Sequence, residues 1–179
     1  MLYPVASLRP LGLGARAYVD ALEDAMIGAA ARWGVRADAR VGGKGPGAWV
    51  GERKLGAVGV RISRGVTSHG LAFNACPDLA AFDAIIPCGT DVGPGGDRPV
   101  TSLDEELRRE WRACSAGGMP GGPLVGVEEV GAAVVRELAD RIGWEVEAVE
   151  PATVVAEAEA ALLEVEEERR VREQTRRGG

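Results

Sequence analysis

The run from Ala48 to Asn74 leaves the chain little choice of fold. Three β-compatible stretches, Ala48–Val50, Lys54–Ile62 and Val66–Asn74, are separated only by Gly51-Glu52-Arg53 and Ser63-Arg64-Gly65. Connections that short allow no crossover, so neighbouring stretches must pair as antiparallel hairpins. In the second stretch Lys54, Gly56, Val58, Val60 and Ile62 alternate and are expected on one face. Gly56 and Gly59 weaken a strand, and two reasons for them stand open: a bulge or tight crossing, or a ligand lying against bare backbone.

Helical periodicity flanks this meander. Leu2–Leu8 is short and apolar, with Pro4 suited to a sheet edge. From Ala15 the residues Tyr18, Leu22, Met26, Ala29 and Trp33 fall on one helical stripe, with Gly34 as its stop. Asp78–Ala84 reads as a single helical turn. Ser102 followed by Glu105 forms a capping box that starts a helix running to about Cys114. Val127–Ile142 carries the stripe Val130, Val134, Leu138 and Ile142, closed by Gly143, and Trp144–Val149 alternates like an edge strand. A charged helix from about Ala152 bears Glu166–Arg170, Glu168–Arg172 and Glu173–Arg177 pairs, which suit a solvated surface. The expected fold class is α+β, a mixed, mostly antiparallel sheet with helices packed on one side. Residues 1–150 are expected to form one catalytic domain and 151–179 a charged tail.

The net charge of −6 and the absence of a continuous basic stripe argue against nucleic acid. No run approaches the length of apolar residues needed to span a bilayer. The first nineteen residues lack acids and carry Arg9 and Arg16, a faint sign of a transit peptide, but the stretch reads better as strand plus helix. Cys76, Cys88 and Cys114 are widely spaced and His69 is the single histidine, so neither a zinc site nor a disulfide scaffold is expected. Val41–Gly47 holds Lys44 among glycines but lacks the phosphate-loop spacing and reads as a turn.

The reactive types, Lys54, His69 and Cys88, converge on Arg53–Gly89. Strand, turn and strand between Lys54 and Cys88 allow the two to meet. An ammonium beside a thiol favours the thiolate. An ordinary thiol, with a pKa of about 8.5, is only a few per cent ionised at neutral pH, and about 2.7 kcal/mol of preferential interaction makes it mostly thiolate. Pro87-Cys88-Gly89 suits a sharp turn that exposes sulfur and aims N–H groups at an acyl oxygen. Cys88 as a small buried thiol, and His69 as an ordinary core or surface residue, remain open beside this reading.

Four motifs in order, K-L-G-A-V-G from Lys54, T-S-H-G-L-A-F-N from Thr67, I-I-P-C-G from Ile85 and V-T-S-L from Val100, resemble the lipoyl(octanoyl) transferases of the biotin/lipoate protein ligase superfamily. The resemblance implies a ligase-like fold and an acyltransferase that moves an octanoyl group from octanoyl-acyl carrier protein through a Cys88 thioester to a lysine. The acceptors would be lipoyl domains of 2-oxoacid dehydrogenase complexes and the glycine cleavage H protein. Lys54 matches the lysine that activates the cysteine. Ala57, Val58 and Gly59, with His69, Gly70, Leu71 and Ala72, match substrate-contacting positions. No metal or dissociable cofactor, nucleic acid or membrane is implied. The wording is closer to the mitochondrial than to the bacterial branch, which makes mitochondrial localisation the expectation and cytoplasmic the alternative.

Departures from the family pattern accompany the likeness. The R-G-G and H-G-P-G-Q motifs that precede these in the family have no counterpart, so the sequence resembles the family without its N-terminal portion, which is expected to leave an apolar sheet edge bare. Residues around Gly93–Asp97 form an insertion, and the tail after Thr153 has no counterpart. A non-catalytic module that docks lipoyl domains or acyl carrier protein is the second hypothesis. A hydrolase using Cys88 and His69 is the third, and needs His69 against the sulfur. No ATP site of a lipoate ligase is evident.

Overall fold

The computed structural model describes residues 1–39, 45–84, 99–114 and 121–150, with positions 152, 153, 161 and 165. Two compact units are present, Met1–Glu145 and Val146–Gly179, and the sheet and helices below all belong to the first. The stretches 40–44, 85–98, 115–120 and most of 151–179, which include Ile85–Gly89 and the C-terminal helix, lie outside the described residues.

Strands β1 (Asp38–Ala39), β2 (Gly47–Val50), β3 (Arg53–Ser63) and β4 (Val66–Phe73) form a four-stranded sheet in sequence order, each antiparallel to the next. The β3–β4 turn has positive φ at both Arg64 (54°) and Gly65 (85°), the handedness that matches the twist of a two-residue hairpin. β1 is too short to announce itself in the sequence.

Leu2–Leu8 runs along the free side of β4 as a broken ladder, with bridges Leu2↔Leu71 and Ser7↔Val66. Pro4 has no N–H to give. Between the bridges the Thr67 hydroxyl donates to Pro4 O at 3.0 Å and accepts from the Ala6 N–H at 2.9 Å. This segment thus covers the free edge of β4, with Tyr3 and Val5 exposed on it. A parallel bridge, Lys54↔Val100, makes the sheet mixed.

Helix α1 (Ala15–Ala31) lies on β2, β3 and β4. Tyr18, Leu22, Met26 and Ala29 are fully buried, as their spacing predicts. Trp33 falls in the turn beyond the helix, and Gly34 (φ +81°) ends it. A Cβ on Gly56 would lie 2.5 Å from Met26 Sδ, so this glycine answers to a tight helix–sheet crossing. Helix α2 (Leu103–Cys114) starts at Ser102, whose Oγ accepts the Glu105 N–H at 3.1 Å. The Glu105 carboxylate pairs with Arg109 and Arg112 instead of returning to the cap. Helix α3 (Val127–Ile142) packs on α1 with Val130, Val134, Leu138 and Ile142 buried, and Gly143 closes it in the left-handed conformation. Leu79–Ala84 is a short 3-10 turn. Trp144–Val149 is irregular, not the expected edge strand: alternation alone makes no strand without a neighbouring edge to bond.

Candidate functional site

A bulge sets the position of Lys54. Ala48 pairs with Gly56 and Trp49 with Lys54, so Leu55 is the extra residue. The expected alternation holds from Gly56 to Ile62 but breaks there. Gly56 faces α1, and Lys54, opposite Trp49, falls on the other face. Its Cε lies beside Gly47, which itself pairs with Ala57, and its Nζ is 5.2 Å from the centroid of the buried Trp49 ring. An ammonium over an aromatic face is held by the ring quadrupole.

The two substrate-matching triplets are direct cross-strand neighbours. Ala57 pairs with Ala72, Val58 with Leu71 and Gly59 with Gly70. Val58 and Leu71 point into the core under α1. The rungs on either side of them belong to the other face and carry nothing larger than a methyl group. Gly59 is exposed, and a Cβ there would meet nothing within 4 Å. Gly70 differs: a Cβ there would lie 2.2 Å from Leu2 O and 2.6 Å from Pro4 Cδ, so it makes room for the edge segment. Two flat rungs therefore adjoin Lys54 on the face away from α1.

His69, opposite Val60, has φ +60°, a left-handed conformation rare for a residue with a side chain, and it is exposed. Cys88, the expected partner of Lys54, lies outside the described residues. Cys76 is half-buried and Cys114 exposed, both as free thiols.

Three of the four motifs are knit together around Lys54. Its N–H donates to Pro99 O at 2.9 Å, and its carbonyl accepts the Thr101 N–H at 2.9 Å. Asn74 Nδ2 donates to Thr101 O at 2.9 Å, and Asn74 O accepts the Leu103 N–H at 2.8 Å. Beside this knot, Arg53 makes a two-pronged pair with Glu106, Nε to Oε1 and Nη2 to Oε2, both at 2.7 Å. Thr101, itself fully buried, donates its hydroxyl to Glu106 Oε1 at 2.5 Å. Burial alone pushes the Glu106 carboxyl up, but the hydrogen bonds from Arg53 and Thr101 and the charges of Arg53 and Arg109 outweigh it and hold the group below the usual glutamate value. Hydrogen bonding to Glu106 in turn raises Arg53.

Sequence reasoning passed over Arg53, Asn74, Thr101 and Glu106. Asn74 and Thr101 stood inside the motifs, but Arg53 read as a turn residue and Glu106 as one more surface acid after a cap. Among the described residues no group of three or more metal-ligating side chains converges, and no helix is long and apolar enough to cross a membrane.

The sheet with α1 and α3 on one face is an α+β architecture of the lipoate-ligase type. Lipoate-protein ligase A bound with ATP superposes with a TM-score of 0.54 at 13% identity, over 78% of this chain and 51% of that one. A T. acidophilum protein with bound lipoic acid gives 0.53 at 13% identity, over 75% and 48%. The chain belongs to the lipoyl protein ligase A/B catalytic domain family, whose model matches residues 1–116. It is 53% identical over 107 residues to a mitochondrial octanoyltransferase of Arabidopsis thaliana, covering 59% of this chain and 43% of that protein. An octanoyltransferase of Desulfovibrio desulfuricans is 49% identical over 118 residues, covering 59% and 49%. The chain thus spans about half the length of the relatives it matches.

Proposed function

We propose that this chain is an octanoyltransferase of lipoate biosynthesis, acting on a lysine of lipoyl domains. The observation that carries this reading is the placement of Lys54 beside two rungs of small residues, in a chain about half identical to octanoyltransferases over the same stretch. In this mechanism the Cys88 thiolate attacks the thioester carbonyl of octanoyl-acyl carrier protein, and the carrier sulfur leaves, taking a proton from the Lys54 ammonium. The acceptor lysine, entering as a neutral amine, attacks the Cys88 thioester and forms the amide. Cys88 departs as thiolate, and Lys54 recovers its proton from the incoming nitrogen. Ala57, Gly59 and Ala72 bed the extended acyl chain, with Val58, Gly70 and Leu71 supporting them, and His69 shapes the site. Residues 1–150 form the catalytic part and 151–179 a charged appendage. The mitochondrial relative favours a mitochondrial site of action, the bacterial ones a cytoplasmic site.

A second reading is a module that docks lipoyl domains without transfer. The two are separated by incubating the chain with octanoyl-acyl carrier protein and a lipoyl domain, then weighing the domain. Octanoylation of the domain, abolished when its acceptor lysine is changed to arginine, is the expected result. Retention of the domain on the chain with no acyl gain would support the docking module instead.

A further inference from the structure

We propose that Glu106 is a positioning residue for Lys54, acting through a buried carboxylate that grips both Arg53 and Thr101. The inference rests on the role given to Lys54 above. Lys54 is bonded through its backbone to residues 99–101: its N–H donates to Pro99 O and its carbonyl accepts the Thr101 N–H. That two-bond bridge lies next to a bulge, where the ladder is locally broken. Glu106 closes the arrangement from outside the sheet. One oxygen accepts both Arg53 Nε and the Thr101 hydroxyl, and the other accepts Arg53 Nη2. Arg53 is the residue before Lys54 in β3, and Thr101 is its bonded neighbour across the bridge. A single carboxylate, its side chain 7% exposed, therefore ties both flanks of the lysine to the first turns of α2.

Charge-assisted bonds in a two-pronged geometry fix angle as well as distance. The consequence for Lys54 is orientation over Trp49 and along Gly47, toward the small rungs. Loosening Glu106 lets the bulge relax and moves the ammonium off the ring.

The chain carries two lysines, Lys44 and Lys54, which makes the test direct. Reductive ¹³C-methylation of the full chain gives one resonance for each and a third for the N-terminal amine, and Lys54→Arg identifies the Lys54 signal. Trp49 shifts the Lys54 methyls away from the Lys44 position. In folded Glu106→Gln, which keeps shape and loses charge, that shift is expected to fall by half or more. An unshifted Lys54 signal in a folded Glu106→Gln protein overturns the proposal. Thr101→Val removes one bond to the carboxylate without touching Arg53, and a smaller displacement in the same direction is expected even where Glu106→Gln does not fold; no displacement there is equally fatal.

The functional arm follows alkylation of Cys88 against pH by peptide mass, so that Cys76 and Cys114 do not contribute. Glu106→Gln is expected to slow alkylation at neutral pH by about tenfold, with no further loss when combined with Lys54→Ala. Independent, additive losses would make Glu106 a merely structural residue. Were Lys54→Ala itself without effect on Cys88, the catalytic reading of Lys54 would fall, whereas an effect of Lys54→Ala but not of Glu106→Gln would remove only the present inference.

Discussion

Gly59→Val separates folding from function more cleanly than any other change in the small-residue patch. The glycine is exposed on β3, its φ is not left-handed, and a Cβ would meet nothing within 4 Å. Valine also suits a strand better than glycine, by about 0.5–1 kcal/mol. Stability is therefore expected to hold or rise slightly. Activity should move the other way. Three new carbon atoms on a flat rung displace roughly three methylenes of an acyl chain lying there. At about 0.8 kcal/mol per buried CH₂ the loss is about 2.4 kcal/mol, or roughly 60-fold in kcat/KM. The assay pairs thermal unfolding with transfer kinetics for octanoyl and butyryl donors, and the shorter donor should lose far less because it has fewer methylenes to displace. A folded Gly59→Val protein with unchanged kcat/KM for octanoyl transfer would refute the placement of the acyl chain on this patch.

Gly70→Ala should behave oppositely to Gly59: its Cβ meets the Leu2 carbonyl, which is backbone, so a loss of about 1–3 kcal/mol is expected in urea unfolding, with Leu2–Leu8 detaching first in hydrogen exchange. Removing Glu106 as the partner of Arg53 should cost about 3 kcal/mol at pH 7, since the pair is largely buried. Because the folded carboxyl titrates below its unfolded value of 4.5, its contribution is complete above that pH and fades as pH falls through the lower folded value. Urea midpoints of the natural chain and Glu106→Gln should therefore converge in acid; a constant gap would contradict the assignment. His69→Val should destabilise by about 1–2 kcal/mol, because a β-branched residue resists φ +60°, and His69→Gly should not, as thermal unfolding would register.

The sheet was legible in the sequence because its turns are short and glycine-marked, and α1 and α3 because their stripes and glycine stops are regular. The bulge at Leu55 was not. Period-2 reading carries Lys54 onto the Gly56 face, and only the pairing of Trp49 with Lys54 reverses it. Gly56 and Gly59 looked alike in sequence, yet one answers to Met26 and the other to open space. That distinction depends on which helix crosses which strand, which local pattern does not encode. The Glu106 grip was hidden for the same reason: an acid on α2 acquires its meaning only when Arg53, 53 residues earlier in the chain, arrives beside it and beside its neighbour Thr101. Trp144–Val149 had the pattern of a strand yet is irregular, because alternation alone does not supply the paired edge that a strand needs.

Acyl transfer through Cys88 is tested by intact-mass spectrometry of the chain after incubation with octanoyl-acyl carrier protein. One octanoyl adduct is expected, released by hydroxylamine and absent as a labile species from Cys88→Ser. A folded chain that gains no adduct, or a Cys88→Ser protein that gains the same labile one, would contradict it.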